Sequence, residues 1–314
     1  MTSPPLFAPP AYPLSSRVST HAIAPTTRHH LVLMPTAHYC FLALLIGWAC
    51  TAQALYDPPA NYYTNATGKF GATLKSALHA IIAPHTVKSY DDARTILQVL
   101  DVDPGNATKI VLVYSGFSVT KTWDSGSTWN REHLWPQSRG VSTGPGSSDL
   151  FNLRPSNPVV NSSRGNKWFD NSNASDASYK SSAHVSAPLC SSDSDSWQPR
   201  SAEQGDIARA MFYMDTRYDG AEPNTVDLEL TNVVVTSSQM GIFFTLLQWH
   251  LADPVDDIER RRNDLIYSNY QANRNPYVDH PEYVQMVYGM PEPTLLVLVV
   301  VLGLCCRQSK RAAD

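Results

Sequence analysis

Apolar side chains recur at helical intervals in several stretches of the chain, which predicts amphipathic helices. In residues 67–83 they fall on one helical face, and they are Phe70, Leu74, Leu78 and Ile81. Four later stretches are also predicted as helices, at residues 90–100, 205–218, 241–251 and 253–270. The segment 171–200 is rich in Ser and Asp and is predicted to be a surface loop.

Between these helices lies a predicted strand, loop, strand and helix unit. Residues 109–116 read as a strand that ends in a turn, and a polar stretch, 117–131, then leads to a strand containing Glu132 and His133. A Gly/Ser-rich loop, 141–148, separates it from a second short strand at 149–153. Pro158 is typical of a first helical turn, with Ser156 or Asn157 as its cap. Strands and helices in this order predict the α+β class.

The chain is divided into three parts by composition. Residues 55–290 contain no linker long enough to separate two domains and are predicted to be one domain. Residues 41–50 are apolar and precede Ala52-Gln53-Ala54, so residues 1–54 are predicted to contain a signal peptide. Residues 1–33 are rich in Pro, Ser and Thr, so either Met34 is the true start or these residues are a disordered leader.

The C-terminal segment, 291–314, resembles the bacterial PEP C-terminal sorting signal. Pro291-Glu292-Pro293 is followed by twelve apolar residues, 295–306, and a basic end. The resemblance implies a Gram-negative exporter, transient association with the inner membrane, and processing by an exosortase-like enzyme after signal peptidase. The alternative is a permanent anchor, but twelve helical residues span only about 18 Å of a bilayer core of about 30 Å.

Composition limits the function classes. The hydrophobic fraction is 43%, enough for a core, and the formal net charge is −4. Residues 55–290 hold 19 basic and 26 acidic residues, a net charge of −7. Such a domain does not coat nucleic acid by bulk attraction, so a polyanionic substrate would require local positive charge and metal. Cys190 is the single cysteine of this domain, which excludes an internal disulfide.

The candidate chemistry centres on Glu132 and His133, with Asn161 lying 28 residues beyond His133. Neighbouring residues on a strand point to opposite faces, so one can hold a metal ion while the other faces the substrate. His133 is the candidate general base, because an imidazole can take a proton from water near neutral pH. Glu132 and Asn161 are the candidate metal ligands, one anionic and one neutral. Taken singly, each also has an ordinary structural interpretation.

Arg164 follows Asn161 by three residues and shares its helical face. It is predicted to neutralise charge on a phosphate, and the alternative is an ion pair with Asp149 or Asp170. Zinc-binding and P-loop motifs do not occur in the sequence. The GxSxG match at 140–144 is followed by Pro145-Gly146, which cannot open the helix that a nucleophile elbow needs.

Ordered motifs over residues 60–285 resemble the bacterial endonuclease I family of secreted, non-specific nucleases, within the His-metal finger (ββα-metal) superfamily. The matching segments are Tyr114-Ser115-Gly116, residues 129–136 (WNREHLWP), 149–155 (DLFNLRP), 160–166 (VNSSRGN), 205–210 (GDIARA), 212–214 (FYM) and 273–281 (NRNPYVDHP). The resemblance implies a ββα-metal core surrounded by helices. It also implies His133 as the base, with Glu132 and Asn161 as the ligands of Mg²⁺, or of Mn²⁺ or Ca²⁺.

The same resemblance implies an exported, periplasmic or surface endonuclease that cleaves DNA, and RNA in some members, to 5′-phosphate products. The protein is predicted to be a monomer. The polar residues Arg131, Arg139, Asn152 and Arg274 are predicted to bind substrate. One departure is Ala272, which stands where the family has Gly before Asn-Arg-Asn-Pro and is expected to alter a turn.

Two other functions remain open at this stage. One is a nucleic-acid-binding matrix protein without catalysis, which suits a sorting tail and would bind without metal or cleavage. The other is a metal-dependent phosphodiesterase for a different substrate, which a net charge of −7 permits.

Overall fold

The computed structural model describes residues 56–233 and 238–289. The predicted leader at 1–54 and sorting tail at 291–314 lie outside these residues. None of the helices in the described ranges is both long and apolar enough to cross a membrane.

Short helices and very short strands alternate along the described chain. The helices are α1 (Gly71–Ile82), α2 (Tyr90–Leu100), α3 (Pro158–Arg164), α4 (Gln204–Arg217), α5 (Phe243–Ala252), α6 (Asp257–Leu265), α7 (Pro276–Asp279) and α8 (Tyr283–Tyr288). The strands are β1 (Val102–Asp103), β2 (Asn106–Val111), β3 (Ser118–Thr120), β4 (Asn130–His133), β5 (Leu153–Ser156), β6 (Trp168–Phe169), β7 (Ser191–Ser192), β8 (Ser196–Gln198), β9 (Glu229–Leu230) and β10 (Gln239–Met240).

These strands form four small sheets among the described residues. β1, β2 and β3 are antiparallel neighbours, and β4 pairs with β5 in the same sense. β8 lies between β6, to which it is parallel, and β7, to which it is antiparallel, while β9 and β10 are parallel. The mixture of separate helices and small sheets confirms the α+β prediction.

Helix α4 is the centre of the fold. The sequence predicts an amphipathic helix here, but its polar side chains are buried together with its apolar ones, including Arg209 and Thr216 with no exposed surface. The helix packs against α1, α5 and α7, so it has no solvent face. Arg209 Nε donates to both carboxylate oxygens of Glu259, at 2.7 and 2.9 Å. The prediction of a polar face is therefore wrong, because internal ion pairs satisfy the charges.

Helix α1 begins later than predicted. Phe70 is the N-cap residue, with an extended backbone, and 65% of its surface is exposed. The buried face consists of Leu74, Leu78 and Ile82, whereas Ile81 is only partly buried. The two central positions of the predicted apolar face, Leu74 and Leu78, are therefore buried as expected, whereas at its ends Phe70 is exposed and Ile82 is buried in place of Ile81.

The segment 171–200 is not only a surface loop. It contributes β7 and β8, and Ala187, Cys190 and Trp197 are fully buried within it. The high content of Ser and Asp predicts an exposed segment and so does not indicate these buried residues. The polar side chains can lie beside them because they bond mainly to one another and to the backbone. Asp193, for example, accepts from the backbone N–H groups of Asn173 and Ser196.

The predicted helix at 253–270 begins at Asp257, since Asp256 caps it by accepting from Glu259 N–H. It continues as a π-helical turn, Ile266–Gln271, and ends at Ala272 with φ +61°. This left-handed conformation favours glycine and costs another residue about 1–2 kcal/mol. Ala272 therefore adopts a conformation that glycine would adopt without this cost.

Candidate active site

Strands β4 and β5 and helix α3 hold the candidate residues. The register pairs Glu132 with Arg154 and His133 with Leu153. The second strand begins at Leu153 instead of 149, because residues 149–152 form a turn. Asn157 then caps α3 by accepting from the N–H groups of Val159 and Val160, at 3.0 and 3.2 Å. The Asn-Pro pair thus fixes the start of the helix that carries Asn161.

His133 is buried and its ring is fixed on two sides. Its Nε2 lies 2.9 Å from the carbonyl oxygen of Ser147. Since a carbonyl can only accept, Nε2 carries the proton and Nδ1 carries the lone pair. The ring also stacks on Tyr90, with centroids 5.4 Å apart and planes at 21°. Burial lowers the pKa of His133 to about 4, with a smaller effect from nearby arginines, so the imidazole is neutral at pH 7.

Glu132 is buried next to a phenol and a guanidinium. Tyr114 Oη donates to Oε1 at 2.6 Å, and Arg164 Nη1 donates to the same oxygen at 3.0 Å. Burial raises the pKa of the Glu132 carboxyl, and these two donors counteract the shift. No hydrogen bond from the described residues reaches Oε2. One oxygen therefore fixes the carboxylate, and the other remains available.

Arg164 supports the strand instead of projecting toward solvent. Only 1% of its surface is exposed, and its ion-pair partner is Glu132. It also donates to the carbonyl oxygens of His133 and Leu134, at 2.9 and 2.7 Å. The alternative pairing with Asp149 or Asp170 is wrong. The guanidinium holds the carboxylate and the backbone of β4 in place.

Asn161 is fixed through its amide nitrogen. Nδ2 donates to Asn130 Oδ1 at 2.9 Å and to the Arg131 carbonyl at 3.3 Å. These bonds orient the amide and leave Oδ1 without a hydrogen-bond partner in the described part of the chain. Asn161 thus offers one neutral oxygen.

A single cavity of about 190 Å³ brings most of the candidates together. It is lined by Tyr90, Arg131, Glu132, His133, Pro136, Gln137, Asn161, Arg164, Gly165 and Asn166. Five of the eight predicted site residues are in this set. A carboxylate oxygen, an amide oxygen and a neutral imidazole therefore line the same polar space.

This donor set fits a hard divalent cation. Mg²⁺ prefers oxygen ligands and keeps several of its waters when a protein supplies only one or two. Glu132 can supply the anionic oxygen and Asn161 the neutral one. Because Arg164 already offsets part of the charge of Glu132, the carboxylate can stay ionised despite its burial.

Arg131 and Arg139 differ in their relation to the cavity. Arg131 lines it, with its guanidinium carbon 3.6 Å from the centre of the Tyr90 ring. Arg139 does not line it. Its guanidinium stacks on Trp168 at 4.3 Å and donates to the carbonyl of Asn166, a cavity residue, at 3.0 Å. Arg139 therefore supports the rim in this structure.

The other two predicted substrate contacts are inside the protein. Asn152 has no exposed surface and bonds to the backbone N–H and carbonyl of Trp135, at 2.6 and 3.1 Å. Arg274 also has no exposed surface and pairs with Asp264 and Asp279, at 2.9 and 2.8 Å. Neither lines the cavity, so the structure gives both residues a packing role. The positions of Asn152 and Arg274 in the sequence motifs could not distinguish a packing role from a substrate-binding role.

Replacing Arg274 with alanine should therefore destabilise the protein. The change leaves buried carboxylates without their cation, which typically costs about 3–5 kcal/mol. Urea unfolding would measure the loss, with Arg261→Ala as the control. Within residues 56–233 and 238–289, Arg261 makes only long hydrogen bonds, of 3.4 and 3.5 Å, to the carbonyls of Leu100 and Val99. Normal stability of the Arg274 variant together with a raised KM would restore the substrate-binding interpretation.

Three groups in the site are not predicted from the sequence to have a function. They are Tyr90 beside the imidazole, Tyr114 on the carboxylate and the Ser147 carbonyl. Tyr114 belongs to one of the family motifs, which is a signal of importance but not of a role. Ser147 acts through its backbone, so no side-chain pattern could identify it.

The comparisons with known proteins show the family of the chain. A family described as Endonuclease I matches residues 70–282, and the chain belongs to this family of nucleases. Similar relatives include the extracellular ribonuclease of Bacillus amyloliquefaciens, 43% identical over 248 residues, covering 76% of this chain and 82% of the relative. The extracellular ribonuclease of Bacillus subtilis (strain 168) is 42% identical over 242 residues, covering 75% and 81%. The predicted resemblance to the endonuclease I family is confirmed.

Proposed function

We propose that the protein is an exported, metal-dependent endonuclease that hydrolyses phosphodiester bonds of RNA and DNA with little sequence specificity. The observation that carries the proposal is the neutral imidazole of His133 in the same cavity as the free oxygens of Glu132 and Asn161. Two relatives named as ribonucleases support RNA as a substrate. DNA follows from the family resemblance.

In the proposed reaction, His133 is the general base. Nδ1 accepts a proton from a water molecule as that water attacks phosphorus. The bond from phosphorus to the 3′ oxygen breaks, which leaves a 5′-phosphate and a 3′-hydroxyl that takes a proton from solvent. The Ser147 carbonyl holds the protonated Nε2, which leaves Nδ1 as the accepting nitrogen, and it stabilises the imidazolium that forms.

Glu132 and Asn161 are proposed to hold Mg²⁺. When bound, the ion would neutralise charge that develops on the phosphate and on the leaving oxygen. The role of Arg164 is to position Glu132, and the role of Tyr114 is the same. The proposed β4–β5–α3 unit is then the ββα-metal core that the resemblance implies.

Export is proposed on two grounds. The leader contains the apolar segment and small residues of a signal peptide. Two relatives are named extracellular. The sorting function of the tail remains a prediction from its sequence.

The proposal is tested with the full chain, supercoiled plasmid and a long RNA, each in Mg²⁺ and in EDTA. Fragments of mixed length in Mg²⁺, and intact substrate in EDTA, are expected. Binding to both polymers without cleavage in any divalent metal would favour the matrix-protein alternative. Cleavage of bis-p-nitrophenyl phosphate with both polymers intact would favour a phosphodiesterase for another substrate.

Tyr90 is expected to contribute through the imidazole on which it stacks. Tyr90→Ala removes a stacking interaction of about 0.5–1.5 kcal/mol, so kcat should fall roughly threefold to tenfold. Tyr90→Phe keeps the ring and should stay near wild type. Steady-state kinetics on RNA would measure both variants. An equal loss in both would show that the hydroxyl, and not the stacking, matters.

A further inference from the structure

A second group of potential metal ligands lies away from the proposed active site. His79 on α1, and Asp219 and Glu222 in the loop after α4, each offer one ligand atom, and these atoms all lie within 4.8 Å of one another. Among the described residues this is the only such group of three His, Cys, Asp or Glu side chains. None of the three lines the cavity that contains His133.

The orientation of His79 is typical of a metal ligand. Its Nδ1 lies 3.0 Å from the carbonyl oxygen of Thr216, which can only accept. Nδ1 therefore donates to this carbonyl, and Nε2 is the ring nitrogen that faces Glu222. Imidazoles that bind metals commonly have the second nitrogen held in this way.

The distances suit a small divalent ion. His79 Nε2 lies 3.3 Å from Glu222 Oε1. Ligand atoms at about 2.1 Å from a tetrahedral ion are separated by roughly 3.4 Å. Asp219 Oδ2 lies 3.6 Å from Nδ1 of this ring and not from Nε2, so its side chain, which is 37% exposed, would have to rotate to reach an ion at Nε2.

The local charge also favours a cation. Arg217 Nη1 donates to Glu222 Oε2 at 2.8 Å, which leaves Oε1 directed to His79. Arg217 Nε donates to His85, so this guanidinium does not reach Asp219 by any hydrogen bond of the described chain. Two carboxylates therefore lie beside the imidazole of His79, and a single arginine bonds to one of them.

We propose that His79, Asp219 and Glu222 form a structural site for a borderline divalent cation such as Zn²⁺. One nitrogen and two carboxylate oxygens match its ligand preference, and water would complete the shell. The ion would join α1 to the loop that follows α4, two segments separated by more than a hundred residues of sequence. The site stabilises the fold and takes no part in hydrolysis.

The test measures Zn²⁺ content in a parent protein that lacks the active-site carboxylate, Glu132→Gln. Full-length chains are stripped with EDTA, dialysed against Zn²⁺ and analysed for bound metal. The parent should hold one more ion per chain than the parent with His79→Gln or Glu222→Gln. Ions bound elsewhere cancel in this difference. His184→Gln, which removes a different histidine, should not change the content.

Stability and activity provide independent readouts. Zn²⁺ should raise the unfolding temperature of the parent by several degrees, and the rise should vanish with His79→Gln. Circular dichroism without metal checks that the variant folds. With Glu132 intact, His79→Gln should leave Mg²⁺-dependent cleavage unchanged, so failure here is separable from failure of the proposed nuclease function. Equal metal content in the parent and both variants, with no difference in the thermal shift, would overturn the site.

Discussion

His133→Ala is expected to lower the rate of phosphodiester cleavage by about 10²–10⁴-fold, the usual contribution of a general base. The variant loses the nitrogen that accepts the proton from water, while Glu132 and Asn161 remain. Binding of Mg²⁺ should therefore persist. Single-turnover cleavage of a labelled RNA, beside calorimetric titration with Mg²⁺, measures both quantities.

The first control for this prediction is that the His133→Ala variant still folds. His133 also packs against Tyr90, so circular dichroism and thermal unfolding of the variant must resemble wild type. His250→Ala is a matched change, because His250 is another buried histidine whose pKa burial lowers to about 4, and it lies outside the cavity. A similar rate loss in both histidine variants would assign the effect to packing. A loss below tenfold at His133 would remove it as the base.

Glu132→Gln should have the second large effect, on metal dependence. The amide keeps the shape but removes the anionic ligand, so the Mg²⁺ concentration for half-maximal activity should rise and the rate at saturation should fall by about 10²-fold or more. The change also leaves buried Arg164 without its carboxylate, which costs about 3–5 kcal/mol. Activity must be measured at a temperature where circular dichroism shows folded protein.

Tyr114→Phe separates these two consequences of changing Glu132. It removes a hydrogen bond to Oε1, worth roughly 1.5–3 kcal/mol because the acceptor is charged, but it leaves the charge and Oε2. Its Mg²⁺ dependence should remain close to that of wild type. Full activity of Glu132→Gln at low Mg²⁺ would refute the ligand assignment.

The site is more predictable from sequence than the fold around it. A local rule suffices for one part of it, since Asn157 with Pro158 starts the helix of Asn161. Glu132, His133 and Asn161 all line one cavity, which strand alternation alone does not predict. The roles of these side chains in catalysis remain predictions.

The errors concern burial, which local patterns do not determine. Arg164 and Arg274 are predicted from sequence to act on phosphate and substrate, yet both are buried. Arg164 pairs with Glu132, 32 residues away, and Arg274 pairs with nearby Asp279 and donates to the distant Tyr56 carbonyl. Arg209 in α4 is a third case, since Glu259 lies 50 residues away. A charged side chain is buried only when another group compensates it, and a linear pattern does not show which group that is.

Nε2 of His133 donates its proton to a main-chain carbonyl, that of Ser147, and this affects how the enzyme tolerates mutation. A substitution at Ser147 changes the side chain but leaves the carbonyl that accepts from Nε2. The loop is held farther along, where Leu150 N–H donates to Gln271 and two tyrosines donate to Asp149. Substitutions at Gln271 or at these two tyrosines should therefore disturb the orientation of His133 more than a substitution of the Ser147 side chain.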